Sequence, residues 1–162
     1  MMKSLLQKTS CFQKGFSILE FLVVIAIFAI IASLTFTSFA SLRQSKNLDT
    51  EALSLLSLLE KARADTLGSQ GASQYGVHFE TTKAVLFIGA AYVSGNSSNI
   101  TMTINPLMQI SSISLTGGGS DIVFDRLSGK TAQSGTIILS LISTPTSLKT
   151  ITIGTTGLAQ TQ

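Results

Sequence analysis

The chain of 162 residues has one cysteine, one histidine, two prolines and no tryptophan, and only 12% of its residues are charged. Each shortage excludes something. Cys11 alone closes no intramolecular disulfide, and with a single histidine no His/Cys metal-ligand set can be assembled. His78 stands between Val77 and Phe79 in a stretch of strand character, where a histidine is ordinarily structural. No Ser/His/Asp arrangement carries local signature residues. No glycine-rich phosphate loop precedes a helix either, since Gly117 to Gly119 falls between two strand-like stretches. Asp121 and Asp125, evenly spaced on one expected strand, offer two carboxylates where a calcium cage takes about six to eight oxygens. Asn99-Ile100-Thr101 fits a glycosylation sequon, a short pattern that arises often by chance. No catalytic residue, metal or cofactor is expected. Both prolines, Pro106 and Pro145, lie in the C-terminal part, so neither interrupts the first two-fifths of the chain.

What the sequence has in abundance is one apolar run. Phe21 to Ala32 is unbroken, and up to Ala40 the only polar residues are Ser33, Thr35, Thr37 and Ser38. Such hydroxyls bond back to their own helix carbonyls and cost little in lipid. Roughly 20 apolar residues suffice for a helix to cross a hydrocarbon core of about 30 Å, so the run is expected to span a membrane. Glu20 at its entrance is a functional candidate by default, because a carboxylate in a membrane segment is costly. The net charge of +3 is uneven: Lys3, Lys8 and Lys14 all precede Gly15, and beyond them eight basic residues balance eight acidic ones. A basic N-terminus before an apolar run holds that end in the cytoplasm.

The stretch Lys14-Gly15-Phe16-Ser17-Ile18-Leu19-Glu20 with its apolar continuation resembles the class III signal of type IV pilins and type II secretion pseudopilins. That pattern is a short basic leader ending in Gly, an aromatic new N-terminus, a Glu at the fifth mature position, and about twenty apolar residues. The resemblance implies a leader over residues 1–15. It implies cleavage between Gly15 and Phe16 by a prepilin peptidase, N-methylation of Phe16, and an assembly role for Glu20. It further implies other pilin or pseudopilin subunits and an assembly platform protein as partners. Glycine suits the cleavage point on physical grounds too, having no side chain to obstruct a protease. The chain departs from the family habit in two ways: the mature part has no cysteine for a C-terminal disulfide, and Thr37 stands where many members carry a helix-kinking proline. A rival reading is an ordinary secretory signal cleaved after Ser38-Phe39-Ala40. The apolar run is longer than the usual 7–15 residue core of such signals, and Glu20 at its entrance also argues against it.

Beyond Ala40 the helical pattern continues. Leu48, Ala52, Leu55, Leu59 and Ala62 recur on one helix face, and Gly68 or Gly71 is expected to end the helix. The segments expected are therefore a transmembrane or filament-core helix over 16–40, an amphipathic continuation over 41–67 and a β-rich head over 72–162. The helix totals about 52 residues, roughly 78 Å. After Gln74 the period changes to alternation. Tyr75 to Phe79 and Lys83 to Ile88 read as a hairpin, followed by strands near 100–104, 110–115, 121–125, 136–142 and 148–153 and a short one at Leu158-Ala159. One long helix followed by many short strands means α+β with antiparallel sheet. The succession "IVFDRLSGK", "GTIILSL" and "KTITIGTTGLAQ" is similar to the end of H-type minor pseudopilins and FimT-like minor pilins.

The function expected is a structural one: a minor pilin or pseudopilin of a type II secretion pseudopilus or type IV pilus. It would be a single-pass protein of the inner membrane, head outside the cytoplasm, before entering the filament. One alternative is a DNA-binding minor pilin for DNA uptake. Nucleic acid is a poor fit because Arg126 and Lys130 form the only close basic pair in the head. A further alternative is a membrane-anchored or secreted protein unrelated to filaments.

Overall fold

A computed structural model describes residues 15–162, with the side chains of 34–41 excepted. The expected leader, residues 1–14, lies outside the described residues. The chain divides at Ala40 into two compact units. Helix α1, Ile18–Leu67, supplies the first unit's regular structure and continues into the second.

In the second unit the helix lasts as long as its sequence lacks Gly and Pro. It ends where the Gly68 N–H donates to the Ala64 carbonyl (2.8 Å) and Ser69 adopts a left-handed conformation (φ 47°). Buried Thr66 ties this end to the next element. Its hydroxyl donates to the Ala62 carbonyl (2.8 Å) and accepts from the Tyr75 N–H (3.0 Å). After a 3-10 turn at Gln70–Ala72 come eight strands: β1 Tyr75–Glu80, β2 Lys83–Ile88, β3 Ile100–Thr103, β4 Met108–Leu115, β5 Asp121–Val123, β6 Gly135–Leu141, β7 Leu148–Ile153 and β8 Ala159–Thr161. They form two antiparallel sheets of four strands, ordered β3-β2-β1-β5 and β4-β6-β7-β8. The architecture is α+β, an N-terminal helix packed on antiparallel sheets, consistent with a pilin-like fold.

The sheets meet at the Thr81-Thr82 hairpin turn, whose carbonyls accept from the Ile110 and Ile104 N–H groups respectively, both at 2.9 Å. The alternation of β1 sends Val77 and Phe79 inward and His78 and Glu80 outward. Leu48, Ala52, Leu55, Leu59 and Ala62 of α1 enter one core with Val77, Phe79 and Leu86 of the first sheet. Ile137, Leu139 and Ile151 of the second sheet complete it. The core face read from the helical period is thus the face the helix buries.

The expected strand over 121–125 is shorter. β5 stops at Val123, and Asp125 turns back to take a hydrogen bond from the Gly129 N–H. Asp121 and Asp125 therefore do not share a strand face.

Candidate functional site

The N-terminal site is built from backbone first. Gly15, Phe16 and Ser17 are outside the helix and exposed. The first intrahelical bond runs from the Phe21 N–H to the Ser17 carbonyl (3.1 Å). A Cβ added at Gly15 would meet nothing within 4 Å among the described residues. Glu20 lies in the first turn of α1, where a carboxylate faces the positive end of the helix dipole.

From Ile18 to Ser33 every residue is exposed, including Phe21, Phe28, Ile30 and Ile31. A helix that is apolar on all sides is stable only when surrounded by lipid or by other apolar helices. Ser33 returns its hydroxyl to the Ile30 carbonyl (2.8 Å), as expected for a hydroxyl in such a run. Among the described residues no helix is long and apolar enough to cross a membrane. The described part of the run, Ile18 to Ser33, makes roughly 24 Å of helix, short of the about 30 Å of a hydrocarbon core. The remainder of the expected span, residues 34–40, lies outside the described side chains.

In the second unit, His78 is held in a polar row across the first sheet. Its Nδ1 contacts an Asp121 carboxylate oxygen and its Nε2 lies 3.6 Å from Glu80, which is itself 3.1 Å from the Lys83 ammonium. Tyr92, from the loop after β2, stacks flat on the imidazole with ring centroids 4.0 Å apart. Asp121 is thereby engaged as a hydrogen-bond partner of the imidazole. Among the described residues no three His, Cys, Asp or Glu side chains cluster to hold a metal. The cleft beside His78, about 450 Å³, is open and walled by Ala90, Ala91 and the Gly118-Gly119 loop. Asn99 of the sequon directs its amide nitrogen at the Val93 carbonyl (2.9 Å), so the atom a glycan would occupy is already bonded. Arg126 and Lys130 are exposed on the turn after β5.

Two contacts escaped the sequence. The Arg63 Nε donates to the Gly129 carbonyl (3.1 Å), joining the helix end to a turn 66 residues on. Lys149 of β7 reaches Asp49 of α1 at 3.1 Å, with Lys46 at 3.7 Å from the same carboxylate. The hydrogen bond from Lys149 holds the Asp49 carboxyl below its ordinary range. The charges of Lys149 and Lys46 act the same way, against an opposing desolvation. Nothing local in the sequence signalled either contact.

Residues 12–36 match the family model of the prokaryotic N-terminal methylation motif. The match includes Gly15, Phe16 and Glu20 and supports a type IV pilin-like N-terminus. No curated protein and no solved structure matches the chain.

Proposed function

We propose that the chain is a minor pilin or pseudopilin: a structural subunit, not an enzyme, of a type II secretion pseudopilus or a type IV pilus. The H-type and FimT-like members are the ones its C-terminal strands resemble. The observation that carries this reading is the exposed apolar start of α1, with Glu20 in its first turn and Gly15 and Phe16 before it, lying inside the matched motif.

The mechanism begins with hydrolysis of the Gly15–Phe16 amide by a prepilin peptidase. Water adds across the bond, leaving a carboxylate on Gly15 and an ammonium on Phe16. Methylation moves a methyl group from a sulfonium donor to the Phe16 nitrogen, which gives up a proton. Before assembly, 16–40 anchors the subunit in the inner membrane with the head, 72–162, outside the cytoplasm. The amphipathic stretch 41–67 carries the head. During assembly on the platform protein, the apolar helices exchange lipid for one another. The Phe16 ammonium then enters a low-dielectric bundle, where an unpaired charge is very costly. Glu20 of a neighbouring subunit neutralises it, and that pairing sets axial register.

The test is intact-mass analysis with N-terminal sequencing of the chain coexpressed with a prepilin peptidase. A mature protein starting at Phe16, one methyl heavier, is expected. A start at Ser41 would make the chain an ordinary secreted protein, and an uncleaved chain would leave only a membrane anchor.

A further inference from the structure

We propose that Arg43 and Lys46 of α1, with Lys149 of β7, form a binding surface for the phosphate headgroups of anionic phospholipids. This rests on the reading of 16–40 as the membrane anchor.

Arg43 and Lys46 are the first charged residues after Glu20. Three positions apart, they share a face of α1. Asp49, Thr50 and Leu53 continue that face. Lys46 and these three residues, with Lys149 and Thr161 of the second sheet, wall a cavity of about 470 Å³. Asp49 holds the two ammoniums side by side. One of its carboxylate oxygens takes Lys149 at 3.1 Å and the other faces Lys46 at 3.7 Å. An ammonium carries more N–H donors than one such contact uses, so both lysines keep donors to spare. Arg43, Lys46 and Lys149 face the single carboxylate of Asp49, and the surface stays positive. A second observation points to a phosphate or similar oxygen donor set as the ligand. The hydroxyl of Thr161 is buried and has no hydrogen-bond partner among the described residues. Such a group in a cavity wall is costly until an outside oxygen bonds it.

The chain itself indicates where the phosphate comes from. Lys46 follows Ala40, the end of the apolar run, by six residues, about 9 Å of helix. The headgroup layer on each side of a hydrocarbon core is about 5–8 Å deep. Helical side chains lean toward the N-terminus. A long lysine therefore lays its stem along the helix and carries its charge back toward that layer. Lys46 has this freedom, with its side chain 74% exposed, while Lys149, at 35%, is fixed by Asp49. The remaining cations of the head are engaged or distant. Lys61 pairs with Asp65 and Lys83 with Glu80. The turn bearing Arg126 and Lys130 is tied through Gly129 to Arg63, twenty residues along α1 from Arg43 and so about 30 Å away. A headgroup contact at Lys46 and Lys149 holds the head against the membrane beside its anchor. It is given up when the apolar helices leave lipid for one another.

The experiment places the full chain in phosphatidylcholine nanodiscs and titrates in dihexanoyl-phosphatidylglycerol while the NMR signals of Lys149 and Thr161 are followed. Both are expected to shift saturably, with the Lys130 signal unmoved. The half-maximal concentration should rise about fivefold in Arg43→Gln and in Lys46→Gln, the factor one cation near an anionic surface corresponds to. It should stay at the wild-type value in Lys130→Gln. Neither test substitution threatens the fold, because the Lys46–Asp49 pair is exposed and weak and Arg43 is exposed. Unmoved signals would overturn the proposal. An equal response to dihexanoyl-phosphatidylcholine would overturn it too, since the charge of the headgroup would not be read. The same shifts with inorganic phosphate at equal concentration would replace it with an adventitious ion only. Wild-type affinity in both variants would remove these cations from the site. Release of the chain from liposomes by alkaline carbonate would instead overturn the anchoring reading, a result read separately from the shifts.

Discussion

At the scale of single residues, charge does two different jobs. Among the described residues Glu20 gains little beyond the helix dipole, and its proposed partner belongs to another subunit. Glu20→Gln keeps the size and the hydrogen-bonding capacity while removing the charge. It is expected to yield mature protein but at least about tenfold less filament, since leaving the opposite charge buried and unpaired costs several kcal/mol. Immunoblots of sheared filaments and of membranes measure the two pools separately, and normal filament yield would remove Glu20 from assembly. Asp49, by contrast, is satisfied within the chain. Its carboxyl is held below the ordinary range chiefly by the Lys149 hydrogen bond. A depressed carboxylate contributes stability that is complete above its unfolded value, about 3.9, and lost as pH falls through the lower folded value. Wild type is therefore expected to exceed Asp49→Asn in thermal stability at pH 6, with the gap closing below about pH 4. Parallel Tm curves across that range would show the pair to be inert. Both residues are visible in the sequence as charges. Only Glu20 raised a functional expectation, because the pattern around it is local: four residues from Phe16, at the mouth of an apolar run. Asp49 takes its meaning from Lys149, a hundred residues away in the chain.

At the scale of elements, periodicity carried most of the information, since it depends on backbone geometry alone. Leu48, Ala52, Leu55, Leu59 and Ala62 mark the buried helix face at 3.6 residues per turn, and the alternation of Val77 and Phe79 with His78 and Glu80 marks the faces of β1. Periodicity does not tell which strand pairs with which. The division into two sheets depends on contacts such as those of the Thr81 and Thr82 carbonyls, which no local pattern encodes. The same limit hid the reason for Gly76. It pairs with Phe87 across the sheet, and a Cβ there would lie 2.5 Å from the Phe87 ring and 2.6 Å from the Ile122 carbonyl oxygen. Gly76 is thus the gap that lets the aromatic ring lie over the strand and meet Tyr92, at 5.8 Å between ring centroids. Gly76→Ala is expected to destabilise the head by about 2–3 kcal/mol through overpacking. Phe87→Leu in the same chain should recover only part of it, because the Ile122 carbonyl is backbone and cannot step aside. Denaturant unfolding of both variants measures this, and a neutral Gly76→Ala would mean that β1 and β5 shift apart freely.

At the scale of the whole molecule, the two units solve opposite problems. The described part of the first exposes every apolar side chain it has, while the second buries a core whose members run from Leu48 to Ile153. Among the described residues every member of the core belongs to the second unit. The division of labour fits a subunit that moves between lipid and a helical bundle: the part that changes surroundings is separate from the part that must stay folded. It follows that a fragment of residues 41–162 should fold alone, as a monomer in water without detergent. Its Tm should lie within about 4 °C of the detergent-held full chain, the shift that about 1 kcal/mol makes in a domain of this size. The full chain without detergent should aggregate at the same concentration, since a continuous apolar surface of that extent seeks partners. Calorimetry and light scattering on the two proteins decide it. A fragment that unfolds without a cooperative transition would mean that the helix before Ser41 is part of the head's core after all. The separation of anchoring from folding would then fail with it.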